Sequence, residues 1–379
     1  MVQKHYLRGS HKPDLVLLVT VSLLLVFGVL MVYDASVVTS LELFGGQYHY
    51  LILQAIWVLL GAAPAVFLFL FDYKKLRFLA LPLFVFSVLS LVFVLLPTSF
   101  NPEILGAQRW IFFNPSPMPE IPLLGRLRFQ PSELAKLSLI LWLAVLYTRR
   151  KKFDLRLLLP FLALVVAPVL LEPDFGTAVI LTGIGGAVYF VGGGSLLQLV
   201  LFFPLLLAAG AALILSSPYR KERLLTYLYP SLADPERAGY QIKQILIALG
   251  SGGLFGLGIG EGRQKYAYLP GVNTDSIFAV VGEEFGFVGA VALILLLFLV
   301  IYRGFRVAQH APDQFGRVLA AGISFWFALQ TLVNLGAMVG ITPLTGVTLP
   351  LISYGGSSLV VTMAALGILL NISKQTVRK

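Results

Sequence analysis

The chain of 379 residues contains no cysteine, which excludes disulfides and thiolate metal sites. Histidine is scarce too, and His5, His11, His49 and His310 lie too far apart for any zinc-ligand spacing. Charge is the third shortage. Asp, Glu, Lys and Arg make up 12% of the residues, about half the share of a soluble domain. No GK[ST] follows the glycine run near residue 255, so it is not a P-loop, and no strand precedes it for a dinucleotide turn.

Apolar residues fill the gap, at 58% of the chain and a mean hydropathy of +0.88. They come in runs of about 17–25 residues, each long enough to cross a hydrocarbon core. A β-barrel would show a weaker ten-residue alternation instead. The expected fold class is an all-α polytopic membrane protein with about ten transmembrane helices. The spans fall at about 14–33, 50–71, 77–96, 131–148, 156–171, 176–192, 195–215, 276–302, 316–340 and 357–373. No small-residue cleavage site follows the first run, which reads as a retained anchor.

The net charge of +10 would suggest nucleic acid as the partner of a soluble protein. Here the basic residues sit in short connections and read as topology determinants, so no nucleic acid is expected. Lys4, Arg8 and Lys12 precede the first span. Lys74, Lys75 and Arg77 follow the second, and Arg149, Arg150, Lys151, Lys152 and Arg156 the fourth. Arg303, Arg306 and Arg317 follow the eighth, and Lys374, Arg378 and Lys379 the tenth. Ten crossings put all of these on one side, with both termini cytoplasmic. The organisation expected is a tail over 1–13, a single ten-helix domain over 14–373 and a tail over 374–379. Loops at about 97–130, 216–275 and 341–356 project from the opposite face. The large one lies between the seventh and eighth spans. Long loops of ordinary composition carry function more often than not.

Several charges need a reason. Arg109 lies in GAQRWIFF, outside the third span. Glu133 and Lys136, in QPSELAKL, share a helix face at a spacing of three; they could fix helix packing or serve a site. Glu172 and Asp174 flank Pro173 in EPDFGTA, where turn chemistry is the plain alternative. YRKERLLTYLYP carries Arg220, Lys221 and Arg223 among Tyr219, Tyr227 and Tyr229. It reads as an interfacial helix, a cationic shelf for an anionic head group, or both. DPERAGYQIKQILIAL reads as a further short helix capped near Asp234 or Pro235. The run GSGGLFGLGIGEG suggests backbone that re-enters or packs closely, since irregular backbone at membrane depth must be covered. Asp275, after Thr274 at the outer end of the eighth span, is either a helix cap or something more. Asp275, Glu283 and Glu284 could contact a divalent cation, although their spacing requires none and no cofactor is needed otherwise.

The stretch NLGAMVGITPLTGVTLPLISYGGSS, from Asn334 to Ser358, closely resembles the signature of the SEDS family, which holds the RodA, FtsW and SpoVE proteins. Its SYGGSS end contributes Ser353, Gly355, Gly356, Ser357 and Ser358. GAQRWI, FQPSELAKL, EPDFGTA, DPERAGYQ, RQKYAYLP and TDSIFAVVGEE extend the match over most of the chain. The resemblance implies a SEDS (GT-C-like) fold and a peptidoglycan glycosyltransferase in the bacterial cytoplasmic membrane. Such an enzyme polymerises lipid II on the outer face, elongating a lipid-linked glycan beside a class B penicillin-binding protein. It implies that Asp275 is the essential acid, and that Arg109, Glu133, Lys136 and Asp174 matter functionally. Relatives often have TDFIF where Ser276 stands here, LPE where Pro270-Gly271 stands, and an arginine where Leu53 precedes Gln54. GEGRQKYAYLP is nearer the division and sporulation branches than the elongation branch.

The chemistry implied is displacement of a lipid pyrophosphate by a sugar hydroxyl. Asp275 is the expected base, and Arg109, Arg223 and Lys136 are the expected cations for the leaving group. Two rivals are a lipid II flippase and a scaffold recruiting a transpeptidase. A flippase needs ionisable residues deep in several spans, whereas the charges here cluster toward one side.

Overall fold

The computed structural model describes residues 12–376 except 105, 122–123, 150–154, 216–220, 222–223, 226, 229–237 and 267. Eleven α-helices are described: α1 (Leu15–Phe44), α2 (His49–Leu70), α3 (Leu76–Val94), α4 (Pro131–Arg149), α5 (Leu155–Leu171), α6 (Phe175–Val191), α7 (Leu196–Leu215), α8 (Ala238–Ser251), α9 (Ile277–Gln309), α10 (Gln314–Met338) and α11 (Gly356–Ser373). Seven of these are long and apolar enough to cross a membrane: α1 to α4 and α9 to α11. Three more are apolar: α5 and α6, of 17 residues each, and α7 over its stretch Leu196–Ala212. Helix α8 falls in the stretch expected to hold a short helix; the cap expected near Asp234 or Pro235 lies outside the described residues.

The layering follows from where the polar and small side chains sit. α4, α10 and α11 are the most enclosed helices, whereas α1, α2, α3 and α7 expose leucine and phenylalanine outward. Between apolar helices in lipid there is little hydrophobic drive, so close packing and hydrogen bonds decide. α2 packs along α11 through Gly61 and Gly367: a Cβ on Gly367 would lie 2.3 Å from the Ala65 carbonyl oxygen. The hydroxyls of Ser87 and Ser138 join α3 to α4 at 2.7 Å.

Two helices differ from the sequence expectation. α1 continues past residue 33 to Phe44 because nothing stops it before Gly45, whose φ of +69° forms the C-cap. At about 1.5 Å per residue this 30-residue helix outruns a hydrocarbon core of about 30 Å, so Asp34, Ser36 and Ser40 lie toward its far end. α9 is broken within its apolar run at Gly286, which has φ 65° and ψ −166°.

Both ends of the described chain meet. The Asp14 N–H donates to Ser373 Oγ at 3.0 Å, and Arg303 near the end of α9 pairs with the Asp14 carboxylate. At the opposite end, residues 95–130 are folded about a two-stranded antiparallel ladder, β1 (Ile111–Phe112) and β2 (Arg128–Phe129). Asn114 organises it: its side chain donates to the Pro119 and Gly125 carbonyls and accepts from Leu127 N–H at 2.8 Å.

Candidate active site

The residue singled out as the essential acid, Asp275, sits on the last of a series of turns leading into α9. The Thr274 and Ser276 N–H groups both donate to the Gly271 carbonyl, at 2.9 and 3.1 Å. Gly271 must be glycine in this geometry: its φ is +65°, and a Cβ would lie 2.3 Å from Asp275 Oδ1. Ser276 Oγ donates to the Pro270 carbonyl at 3.0 Å, and Gln241 of α8 donates to Ser276 Oγ at 3.2 Å. Ser276, not Asp275, occupies the N-cap position of α9. The Asp275 carboxylate is half-buried and accepts from Thr274 Oγ1 at 3.1 Å.

This turn is tied to the signature segment. Asn334 Nδ2, on α10, donates both to the Asp275 carbonyl at 2.8 Å and to the Val347 carbonyl at 2.7 Å. The Tyr354 N–H donates to the Asn273 carbonyl at 2.8 Å. Ser353 Oγ accepts from the Leu349 N–H at 2.8 Å, and Ser358 Oγ lies 3.3 Å from Thr348 Oγ1. Ser357 Oγ accepts from Gln130 N–H at 3.1 Å, which brings the entry of α4 to the same place. Gly356 lies flat on Trp57, where a Cβ would come within 2.3 Å of the ring. Gly355 starts α11 as its N-cap residue.

Glu133 and Lys136 do pair, as their spacing predicts. Both Glu133 oxygens lie within 2.9 Å of Lys136 Nζ, and the ammonium is 1% exposed. It also donates to Gln330 Oε1 of α10 at 2.9 Å and lies over the Trp326 ring, 5.1 Å from its centroid. Gln330 also accepts from Trp326 Nε1 and donates to the Thr348 carbonyl. One network therefore runs from α4 through α10 into the signature segment and, through Asn334, to the backbone of Asp275. The sequence reading missed Gln330; an amide in an otherwise apolar helix was the available signal.

Arg109 and Asp174 serve the connection between α5 and α6. Arg109 donates through Nε to the Glu172 carbonyl and through Nη2 to the Pro173 carbonyl, at 3.1 and 2.7 Å. Asp174 caps α6, accepting from the Thr177 N–H and hydroxyl. Glu172 is 1% exposed, and neither of its oxygens has a hydrogen-bond partner. Burial first, and then the neighbouring Asp174 charge, push its carboxyl up to about 9. Arg223, the remaining expected cation, lies outside the described residues.

The glycine run explains the break in α9. Where the helix stops at Gly286, Leu257 and Gly258 N–H groups donate to the Glu283 and Glu284 carbonyls. The Gly253 and Leu254 carbonyls accept from Phe287 and Val288. Backbone groups freed inside an apolar layer must be satisfied by protein, and here the loop does so. Only glycine permits the approach: a Cβ on Gly252 would lie 1.9 Å from the Gly282 carbonyl oxygen, and one on Gly256 2.0 Å from that of Glu284.

Glu283 and Glu284, unassigned by the sequence, are both 1% exposed. Glu283 accepts from the Arg263 and Gln264 N–H groups. Glu284 accepts from the Gly260 and Gly262 N–H groups and, at 2.7 Å, from Lys265 Nζ. Lys265 also donates to Asp34 Oδ1 of α1 at 2.8 Å. Burial pulls the Lys265 ammonium down, but its two carboxylate partners outweigh that and hold it above the ordinary lysine range. These acids face donors, and among the described residues no grouping of three or more His, Asp or Glu could hold a metal ion.

An apolar helical bundle with seven helices long enough to cross a membrane and ionisable groups buried inside it has the makeup of a polytopic membrane protein. The cell cycle protein family of FtsW, RodA and SpoVE matches residues 14–378, and the chain belongs to that family. It is 37% identical over 368 residues to stage V sporulation protein E of Bacillus subtilis (strain 168), covering 96% of this chain and 97% of that protein. It is 38% identical over 373 residues to the probable peptidoglycan glycosyltransferase FtsW of Geobacter metallireducens, covering 97% and 96%. Among solved structures it is similar to the rod shape determining protein RodA of Thermus thermophilus, with 30% identity, a TM-score of 0.68 and coverage of 97% and 98%. It is also similar to a chain of a peptidoglycan synthase complex described as coordinating polymerization and crosslinking, with 33% identity, a TM-score of 0.76 and coverage of 95% and 97%.

Proposed function

We propose that this chain is a peptidoglycan glycosyltransferase that polymerises lipid II into β-1,4 glycan at the outer face of the cytoplasmic membrane, with Asp275 as the catalytic base. The observation that carries this is the double hydrogen bond of Asn334, which joins the Asp275 turn to the signature segment. The names of the full-length relatives support the activity. The reading includes ten membrane crossings, cytoplasmic termini and an active face at the opposite end. The meeting of Asp14 with Ser373 supports an even number of crossings.

In the reaction, the Asp275 carboxylate takes the proton of the attacking sugar hydroxyl. That oxygen bonds to the anomeric carbon, and the bond from that carbon to the lipid pyrophosphate breaks, the oxygen leaving with the electron pair. A single displacement converts an α-linked donor into a β-linked product. Cations neutralise the leaving pyrophosphate. Arg109 and Arg223 take that role; Lys136, sealed between Glu133 and Gln330, acts by holding α4 against α10. The growing lipid-linked glycan stays at the surface while its tail remains among the apolar helices. A class B penicillin-binding protein is the expected partner, a reading supported by the likeness to a synthase complex. The higher identity to FtsW and SpoVE than to RodA favours a division or sporulation role over elongation.

Purified Asp275→Asn, incubated with lipid II alone, is expected to lose polymer formation by at least about 100-fold, the usual scale for a missing base. Normal glycan ladders from that variant would sink the assignment. A polymer made by the unmodified protein without other enzymes separates this reading from a flippase or a scaffold.

A further inference from the structure

Lys265 and Glu284 close a circuit. From Lys265 the chain climbs through its turns to Asp275, then descends the first turns of α9 to Glu284, where the 2.7 Å ion pair shuts the ring. Asp275 lies at its middle, ten residues from one end and nine from the other. The same ammonium reaches Asp34 at 2.8 Å, on a helix 231 residues away in sequence. Backbone bonds from Gly260, Gly262, Arg263 and Gln264 to the two glutamates lay the rest of the loop onto the break in α9. Asp34, Gln264, Lys265, Glu283 and Glu284 are buried, while Gly260 and Arg263 are exposed at the edge of the loop. Glu284 and Asp34 have one cation between them, and removing it leaves two buried carboxylates facing each other, which drives the loop from its seat.

We propose that Lys265 is a positioning residue for Asp275: by bridging Glu284 and Asp34 it pins the outer loop to α1 and to the broken α9, and so holds the acid at the site. The idea rests on the catalytic reading of Asp275. Lys265 lies within the RQKYAYLP motif, where the sequence gives it no task, and the reaction itself does not use it.

The lack of native cysteine allows a clean test. Tyr48 and Tyr268, both about half exposed, are replaced by cysteine and spin-labelled in the full-length protein. The distance distribution between the labels is measured together with kcat and KM for lipid II polymerisation. Lys265→Met is expected to broaden the distribution and lower kcat by about 10- to 100-fold with KM little changed, the scale of a misplaced catalytic group. Lys265→Arg, which keeps the cation, is expected to restore a narrow distribution and most of the rate. A narrow distribution or an unchanged kcat in Lys265→Met overturns the proposal, as does a failure of Lys265→Arg to rescue. Should Lys265→Met not insert, Asp34→Asn is read in the same way, with a smaller broadening and a loss of about 3- to 10-fold expected; no change overturns it. Asp275→Asn is assayed alongside. If it is inactive while Lys265→Met is unaffected, only the positioning role falls. If it is active while the Lys265→Met distances broaden, only the acid's role falls.

Discussion

The two ends of the bundle spend their charges differently. At the end where the termini meet, charged side chains work on helix ends. Asp14 caps α1 and pairs with Arg303. Asp313 caps α10 and accepts from the Tyr73 hydroxyl. Lys374 and Asn371 both donate to the Phe69 carbonyl at the end of α2. The charged members Asp14, Arg303 and Asp313 keep one-tenth to about a quarter of their side-chain surface open to water, although the neutral Tyr73 and Asn371 beside them are buried. At the opposite end, the charged Glu133, Lys136, Lys265, Glu283 and Glu284 are all buried, as is the carboxyl of Glu172. Burying charge is expensive even when it is paired, and stability alone would be served as well by apolar residues. The difference is what a topology device at one end and the proposed site at the other would produce. It also makes the ends respond differently to mutation.

The largest effect is expected at the site end. Lys136→Met keeps the length of the side chain and removes its charge, leaving the Glu133 carboxylate buried without its cation. Breaking one half of such a pair costs about 3–5 kcal/mol. The expected result is a collapse of folded yield or of thermal stability in detergent, with polymerisation lost alongside. Glu133→Gln combined with Lys136→Met removes both charges and should recover much of the stability. If the single substitution is as mild as a surface change, the contrast between the two ends fails.

How much of this was legible depends on range. The apolar helices follow from hydropathy alone, and the Glu133–Lys136 pair from a spacing of three on one helix. The bond between Lys265 and Asp34 spans most of the chain, and no local pattern announces it. The break in α9 was hidden for another reason. Glycine interrupts an apolar run without ending it, and the partner that compensates for the break, residues 252–258, lies in a different segment. The close-packing role read into those glycines was right; their target was not visible. Arg109 was read as a cation for the leaving group; that two of its donors go to the Glu172 and Pro173 carbonyls was not legible, because a sequence shows a charge but not which acceptors surround it. Asp174 had turn chemistry as its plain alternative, and the structure makes it the cap of α6.

Glu172 tests the same contrast through pH. Its carboxyl is raised to about 9, so between the ordinary carboxylate range and about 9 the folded protein holds a proton that the unfolded chain releases. Stability must then fall as pH rises through that window, by at most about 1.4 kcal/mol per pH unit from this one group, and level off above it. Below the ordinary range both states are protonated and the effect vanishes. Glu172→Gln should flatten thermal stability between pH 6 and pH 9, a span of about three units inside that window. An unchanged slope would show that the carboxyl is solvated or paired.

The smallest effect is expected at the terminal end. Arg303→Gln removes the partner of Asp14 while leaving that residue's cap on the α1 Leu17 N–H. The Arg303 side chain is about one-fifth exposed and Asp14 one-tenth, so water can take over part of the lost contact. Pairs open to solvent contribute up to about 1 kcal/mol, and a drop of that order in detergent unfolding is expected, with polymerisation rate unchanged once folded protein is normalised. Added salt should shrink the difference between Arg303→Gln and the parent, because screening acts on open pairs, and should leave the Lys136→Met deficit in place. An Arg303→Gln loss as deep as that of Lys136→Met, and as indifferent to salt, would mean that both ends bury their charge equally. The proposal of a site at one end would then need another basis than burial.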